Sequence, residues 1–384
     1  MATEIFISAG EVSGDMHAAK LVNALRSLRQ DIHVFGMGGQ ALRSAKAETV
    51  VDSETEASVM GFFEVAVKMK TIIAAFNKLV LEAEKRKPAL AILIDFPDFN
   101  LRLAKKLHAL GIPVMYYISP QVWAWRKGRI KDIKKYVTRM VPILPFEETF
   151  YREHGVEASY VGHPLLDVTP PPFDRNDFLR KNNIDPTQPV LAMLPGSRTI
   201  EINRILPTML EALKIMQSKI PTLQTILPIA SSLKEDFIKS FTKDLPIKLI
   251  NQQAESAMRA ADVTLVTSGT ACLEAALIGS PFLVVYKANK FSYLIGRLLV
   301  HGVKYIALPN LIAQRKVVEE LLQGAATPKR IAREILPYFL NPKARELFIK
   351  GIIDVRKTLE VPNSTGTSSE RIAKIALEII DKKK

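Results

Sequence analysis

Two turns in the second half of this 384-residue chain carry the residue types that hold a phosphate, Leu194-Pro195-Gly196-Ser197-Arg198 and Ser268-Gly269-Thr270. Each follows an apolar, strand-like run and opens a helix-like one. A helix N-terminus presents unpaired backbone N–H groups and the positive end of the peptide dipole, so a diphosphate can bind there without a metal. Glu274 stands four residues after Thr270, on the same helix face one turn further in, where its carboxylate can accept both hydroxyls of a ribose. Simple capping and solvation account for Thr270 and Glu274 as well. The pattern points to a nucleotide diphosphate.

The first half holds the candidates for proton transfer and acceptor binding. Gly10-Glu11-Val12-Ser13-Gly14-Asp15 directly follows the first strand-like run, where glycines let the backbone approach a ligand, although a βα turn calls for glycine in any case. Asp95-Phe96-Pro97-Asp98-Phe99-Asn100 ends a buried strand in a turn with two carboxylates. One of them can act as general base on an acceptor hydroxyl, worth on the order of 10²- to 10⁴-fold in rate. A proline turn with Asp98 as helix cap fits the residues equally. Tyr116 to Arg126 contains both tryptophans, Trp123 and Trp125, and runs into Lys127, Arg129 and Lys131. Tryptophan beside clustered cations suits a phosphorylated amphiphile, and a core aromatic pair beside a solvated helix face is the plainer reading.

Other chemistries find little support. The six histidines lack ligand spacing and no Asp-x-Asp triplet is present, so no metal and no cofactor is expected. Charge on a leaving diphosphate then falls to Arg198 and the helix N-termini. Gly36-Met37-Gly38-Gly39-Gln40-Ala41 loosely matches a dinucleotide fingerprint, with Asp52 downstream, but it follows the second strand-like run rather than the first, which argues against NAD. His163 reads equally as a ligand contact and as a structural histidine, and Cys272 has no evident base partner.

These residues need a frame to position them. Short apolar runs at 5–9, 33–36, 90–95, 113–118, 141–144 and 158–161 alternate with helical stretches such as 17–28, the pattern of a parallel sheet covered on both faces. Thr169-Pro170-Pro171-Pro172 breaks the alternation, because consecutive prolines remove backbone donors. It restarts at 190–194, 224–228, 247–250, 263–267 and 282–286. Two Rossmann-like domains follow, a first at 1–168 and a second at 187–350, with a helical segment at 351–384. Thr367 and Glu370 form a capping box for a last helix, whose stripe of Ile372, Ile375, Ala376, Ile379 and Ile380 must pack on the first domain or on another subunit.

Hydrophobic content of 48% and charged content of 24% are those of an ordinary globular protein. One cysteine excludes an intrachain disulfide framework and fits a reducing compartment. The start has no signal-peptide pattern, and no uncharged apolar run reaches the roughly 18 to 20 residues that span a bilayer. A net charge of +14 calls for an anionic partner. No nucleic-acid module is present, which leaves anionic lipid open. Two apolar stripes lie among lysines and arginines, one within 59–83 (Phe62, Val65, Met69, Ile72, Ile73, Phe76, Leu79, Val80) and one at Phe291, Leu294, Ile295, Leu298 and Leu299. Either is core or a docking face.

Taken together, Gly10 to Asp15, Val59-Met60-Gly61, Asp95 to Asn100, Ser119 to Arg126, Val161-Gly162-His163-Pro164, Leu194 to Arg198, Ser268 to Thr270 and Leu308-Pro309-Asn310 resemble the lipid A disaccharide synthase family, in order over nearly the whole chain. The tryptophan segment and the Gly-Glu-x-Ser-Gly-Asp loop are specific to that pattern, whereas the glycine turns alone are not. The resemblance implies an α/β protein of the GT-B fold, with two Rossmann-like domains facing a cleft, from a Gram-negative bacterium. It implies a metal-independent, inverting hexosyltransferase. Such an enzyme joins UDP-2,3-diacylglucosamine to 2,3-diacylglucosamine 1-phosphate (lipid X) by a β-1,6 linkage and releases UDP. On this resemblance Asp98 and Glu11 are catalytic, with Asp95 a third candidate base. Gly196, Ser197, Arg198, Ser268, Gly269, Thr270, Glu274 and Asn310 serve UDP, and Ser13, Asp15, Trp123, Trp125, Arg126 and Arg129 serve the acceptor. It further implies a peripheral protein on the cytoplasmic face of the inner membrane, with a homodimer formed through the C-terminal segment. A GT-B-like UDP-sugar 2-epimerase and a noncatalytic lipid-binding protein are the rival readings.

Overall fold

The computed structural model describes residues 2–55, 65–167, 171–243, 245–289 and 304–382. The chain divides into two compact units, one formed by Met1–Val168 with Val361–Lys384 and the other by Thr169–Glu360.

In the first unit, β1 (Thr3–Ala9), β2 (Ile32–Gly38), β3 (Glu48–Asp52), β4 (Leu90–Ile94), β5 (Val114–Tyr117) and β6 (Arg139–Val141) form one sheet in the order β3-β2-β1-β4-β5-β6. In the second, β7 (Val190–Leu194), β8 (Gln224–Ile229), β9 (Ile247–Asn251), β10 (Val263–Thr267), β11 (Phe282–Tyr286) and β12 (Glu320–Leu322) repeat the arrangement as β12-β11-β10-β7-β8-β9. All pairings are parallel. In both sheets the strand order reverses beside the first strand of the unit, between β1 and β4 and between β7 and β10. Ligands of open α/β sheets bind outside the carboxyl ends of the strands at such reversals. The turns after β1, β4, β7 and β10 are the four that contain most of the expected site residues.

Burial on both faces explains why the strands read as apolar runs. Ile5, Ile7 and Ala9 of β1 face Leu21 and Leu25 of helix Val12–Leu28, while Phe6 points the other way, edge-on to Phe35 with ring centroids 5.6 Å apart. Each fully buried side chain of this size contributes about 1.5–3 kcal/mol. β7, β10 and β11 have the bounds expected from the sequence. The run expected at 141–144 instead ends its pairing at Val141, because Pro142 has no N–H to continue the ladder. The run at 158–161 makes a single bridge, Met140 with Ala158. β3 and β12 were not expected; both are edge strands, short and each carrying a glutamate.

Helix Pro342–Leu359 stays in the second unit, after which the chain returns to the first and ends in helix Ser368–Asp381. The capping box is present: Glu370 N–H donates to Thr367 Oγ1 at 3.2 Å and Thr367 N–H to Glu370 Oε2 at 2.8 Å. Asp167 adds a second anchor by accepting from the Ser368 N–H at 2.8 Å and from its hydroxyl. Ile372, Ala373, Ala376 and Ile380 are buried in the core that includes helix Val12–Leu28, so the last helix packs on the first unit. Among the described residues no helix is long and apolar enough to cross a membrane.

Candidate active site

In the second unit, the turn after β7 delivers Arg198 to the start of helix Thr199–Lys219, with its side chain 81% exposed. Gly196 is required there, since its φ is 123° and a Cβ would lie 2.4 Å from Glu201 Oε2. Glu201 reaches back to accept the N–H of Ser197 at 3.1 Å and of Arg198 at 3.3 Å. These amides, expected to face a phosphate, are held by a carboxylate of their own helix. The turn after β10 differs. Gly269 begins helix Thr270–Ile278 with no side-chain cap and no acidic residue in the first turn. Its amides are the more open anion site of the two, and Thr270 is exposed beside them. Glu274 is half-buried, and burial followed by Glu255 raises its carboxyl above the ordinary range.

Asn310, expected on the nucleotide side, is buried with its carboxamide fully committed. Its Nδ2 donates to Val318 O at 2.9 Å and to Glu320 Oε1 at 2.5 Å, and its Oδ1 accepts from Val317 N and Val318 N. Two donors and two acceptor bonds exhaust the group, so the side chain shapes the loop before β12 and has none left for a ligand.

In the first unit, Glu11 and Ser13 are exposed at the start of helix Val12–Leu28, after β1. A Cβ on Gly10 would lie 2.3 Å from the Phe96 ring, so the turns after β1 and β4 pack directly on each other. Asp95 and Phe96 both have left-handed backbones, with φ of 48° and 49°. Burial first, then the neighbouring Glu11 carboxylate, raise the Asp95 carboxyl to about 6 against a hydrogen bond from the Phe96 N–H. Asp98 stands in the first turn of helix Pro97–Ala109 and accepts from Arg126 Nη1 at 2.9 Å and from the Arg129 guanidinium. Partial burial pulls its carboxyl up, but the hydrogen bond and charge of Arg129 and those of Arg126 hold it below the ordinary range.

Two acceptor-side expectations need correction. Asp15 is buried, and its carboxylate accepts the N–H groups of Gly39, Ala41 and Leu42, capping helix Gln40–Ser44 rather than facing a ligand. Trp123 turns inward: its Nε1 donates to Glu147 Oε1 at 2.9 Å, and its ring stands edge-on to Phe146. Glu147 had no role in the sequence reading; it is fully buried, which raises its carboxyl to about 7 against the bond from Trp123. Trp125 is the presented tryptophan, 38% exposed, with the Arg126 guanidinium 4.4 Å from its ring centroid.

The docking stripe of the 59–83 segment is largely core where described. Leu79 is fully buried, and Phe76 packs edge-on to Phe99 at 5.5 Å. Of Ile72, Ile73, Phe76, Leu79 and Val80, only Ile73 is exposed, because it lies on the opposite face of the helix. Phe62, Phe291, Leu294, Ile295, Leu298 and Leu299 lie outside the described residues. His163 is buried and accepts the Leu165 N–H on Nδ1; burial and then His17 lower it to about 4, as for a structural histidine. No group of three or more His, Cys, Asp or Glu side chains poised for a metal occurs among the described residues.

Two parallel six-stranded sheets of Rossmann order, each reversing beside its first strand, are the architecture of the GT-B class, and solved structures agree on the fold. The chain superposes on UDP-GlcNAc 2-epimerase from Neisseria meningitidis with a TM-score of 0.61 at 12% identity, covering 98% of this chain and 100% of that one. MurG from Acinetobacter baumannii matches with a TM-score of 0.57 at 14% identity, covering 98% and 100%.

Sequence narrows the class. The family model for lipid-A-disaccharide synthetase matches residues 5–371. The lipid-A-disaccharide synthase of Myxococcus xanthus is 44% identical over 378 residues, covering 98% of this chain and 97% of the relative. That of Koribacter versatilis is 42% identical over 384 residues, covering 99% of each. The chain belongs to the lipid-A-disaccharide synthetase family, and this membership makes it a glycosyltransferase of lipid A synthesis rather than an epimerase.

Proposed function

We propose that this chain transfers the 2,3-diacylglucosaminyl group of UDP-2,3-diacylglucosamine to the 6-hydroxyl of lipid X, with inversion, giving the β-1,6-linked disaccharide 1-phosphate and UDP. The supporting observation is the pair of strand-order reversals, each bearing turns suited to one half of the reaction, in a chain that matches its family from end to end. The second unit carries the donor. The open N-terminus of helix Thr270–Ile278 and the exposed Arg198, with Ser197 and Ser268 beside them, meet the diphosphate, and Glu274 is placed to accept the ribose hydroxyls. Negative charge developing on the leaving UDP is then met by fixed dipoles and a guanidinium, with no metal needed. The first unit carries the acceptor. Arg126 and Arg129 suit its phosphate, Trp125 and Ser13 its sugar, and Glu11, Asp95 and Asp98 are the carboxylates that can take the hydroxyl proton.

On the same reading the protein works peripherally on the cytoplasmic face of the inner membrane, where acylated substrates reside, and its net charge of +14 favours an anionic surface. A homodimer through the C-terminal segment also belongs to this reading, because the stripe that docks helix Ser368–Asp381 on helix Val12–Leu28 fits the same helix of a second copy. The deciding experiment is UDP release with and without a 2,3-diacylglucosamine 1-phosphate acceptor. Release only with the acylated acceptor supports the transfer. Conversion of a UDP-sugar without acceptor would show an epimerase, and lipid binding without turnover a noncatalytic protein.

A further inference from the structure

We infer that Glu147 and Tyr151 are positioning residues: from one buried helix face they anchor the irregular segment 119–126, so that Trp125, Arg126 and Arg129 are held where the acceptor meets them. The inference rests on the transfer proposed above and adds to it two residues that touch no substrate themselves.

Segment 119–126 follows β5 and forms neither helix nor strand before the short 3₁₀ turn Lys127–Arg129. Ile118 just before it and Arg126 at its end both have left-handed backbones, with φ of 61° and 55°. Such conformations are unfavourable for residues with a Cβ and persist only where neighbours enforce them. The outer end of the segment is weakly fastened. Arg126 and Arg129 pair with Asp98, whose side chain is 69% exposed, and ion pairs open to water contribute little. A phosphate arriving at the two arginines displaces that carboxylate as well, so this contact does not hold the segment while acceptor is bound.

The inner end is fastened differently. Helix Pro145–Glu153 follows β6 and buries Glu147 and Tyr151, which lie four residues apart and so on one face. Glu147 Oε1 accepts from Trp123 Nε1 at 2.9 Å, while Oε2 accepts the Leu144 N–H at 3.2 Å. One turn on, the Tyr151 hydroxyl donates to Pro120 O at 3.0 Å. Phe146 adds an edge-on contact to the Trp123 ring, with centroids 5.0 Å apart, and Val122 is buried in the same core as Tyr151. Hydrogen bonds closed to water hold more firmly than exposed ones, because breaking one leaves a buried polar group unpaired.

A cap for helix Pro145–Glu153 needs only one acceptor oxygen, and the Leu144 N–H uses one. Burying a whole carboxyl is costly, and the second oxygen is spent on the tryptophan. Pro120 and Trp123 are thus gripped at two points from one helix. Trp125 and Arg126 follow the gripped indole by two and three residues, and Arg129 ends the 3₁₀ turn directly behind them. A shift of the Trp123 ring is therefore carried to the exposed tryptophan and to both guanidinium groups, one of which lies over the Trp125 ring.

The test compares the parent with Tyr151→Phe, Trp123→Phe and Glu147→Gln. Tyr151→Phe removes one hydroxyl, Trp123→Phe removes the indole donor and leaves the helix cap in place, and Gln offers one acceptor oxygen to two donors. Tyr151→Phe is the mildest change and decides the matter if another variant fails to fold. The measurements are KM for the acylated acceptor, UDP affinity by calorimetry, and hydrogen exchange of peptides covering residues 119–129. Each variant is expected to speed exchange there and to raise the acceptor KM, both by roughly 10-fold, because fewer chains hold the arginines in place, while UDP affinity stays within about twofold of the parent. Adding Glu147→Gln to Trp123→Phe is expected to raise KM no further, since both act on one bond, whereas adding Tyr151→Phe to Trp123→Phe multiplies the two effects. An acceptor KM within about threefold of the parent in Tyr151→Phe or in Trp123→Phe, or a UDP affinity that falls in step with it, overturns the inference. A parent that releases no UDP with the acylated acceptor refutes the transfer; exchange then decides the anchoring alone, and parental protection of 119–129 in the variants refutes it.

Discussion

Replacing Asp15 by Asn separates a structural from a ligand-binding carboxylate in the motif that follows β1. The Asp15 side chain is only 3% exposed, and both oxygens are in use. Oδ1 accepts Gly39 N–H at 2.8 Å and Leu42 N–H at 3.3 Å, and Oδ2 accepts Ala41 N–H at 2.8 Å. Asn keeps one acceptor oxygen and can retain the two bonds to Gly39 and Leu42 only by turning its NH₂ towards the Ala41 N–H. One charge-assisted bond is lost and a buried donor faces another donor, for a total of about 3 kcal/mol. In a unit of this size that corresponds to a fall in Tm of roughly 6–12 °C. Scanning calorimetry measures it, and the acceptor KM of the folded variant should equal that of the parent. A fall of less than about 2 °C accompanied by a tenfold rise in acceptor KM would refute the reasoning, because the carboxylate would then face the ligand and not the helix.

Three further outcomes are expected. Arg198→Ala should weaken UDP binding by about 1.5–3 kcal/mol, the range for a hydrogen bond to a charged group, and titration calorimetry that finds parental affinity would remove Arg198 from the diphosphate site. Asp95→Asn should stabilise the protein above the carboxyl's titration and not below it. A carboxyl whose folded pKa is raised is penalised once pH passes its unfolded value, here 3.8, and fully penalised above its folded value of about 6. The gain at pH 7 is at most about 3 kcal/mol and vanishes below about pH 4, and an unchanged Tm at neutral pH would contradict the burial argument. Ile372→Ala, at a fully buried position of the last helix, should destabilise the first unit by about 2–5 kcal/mol while UDP affinity persists, as thermal unfolding and calorimetry would show.

The strands that form the middle of each sheet were legible because both of their faces are buried. Val190–Leu194 and Val263–Thr267 are apolar runs of the right length, with turn residues immediately after them. Edge strands follow weaker rules, and nothing local distinguishes Glu48–Asp52 or Glu320–Leu322 from loop. At the site, the sequence pattern brought out the turns that carry chemistry but not which way their side chains point. Asp15 and Ser13 lie two residues apart, yet one is buried against Gly39 while the other faces solvent. Trp123 and Trp125 likewise part company, because Glu147, 24 residues beyond Trp123, takes the first indole inward. Partners this distant in sequence leave no periodic signal. The arginine pair on Asp98 was hidden for the same reason, since Arg126 and Arg129 reach it from the segment after β5.

The chain leaves the first unit after residue 168 and re-enters it at residue 361, so the second unit is inserted within the first and two covalent crossings join them. This connectivity sets an order of assembly during translation. The second unit is fully synthesised while helix Val12–Leu28 still lacks the cover that Ile372, Ala373, Ala376 and Ile380 provide. The nascent first unit thus carries a bare apolar flank until residues 372–380 have been synthesised, and exposed apolar surface of this kind invites proteolysis and chaperone binding. A stop shortly after residue 360 would leave the second unit intact and uncover helix Val12–Leu28 of the first.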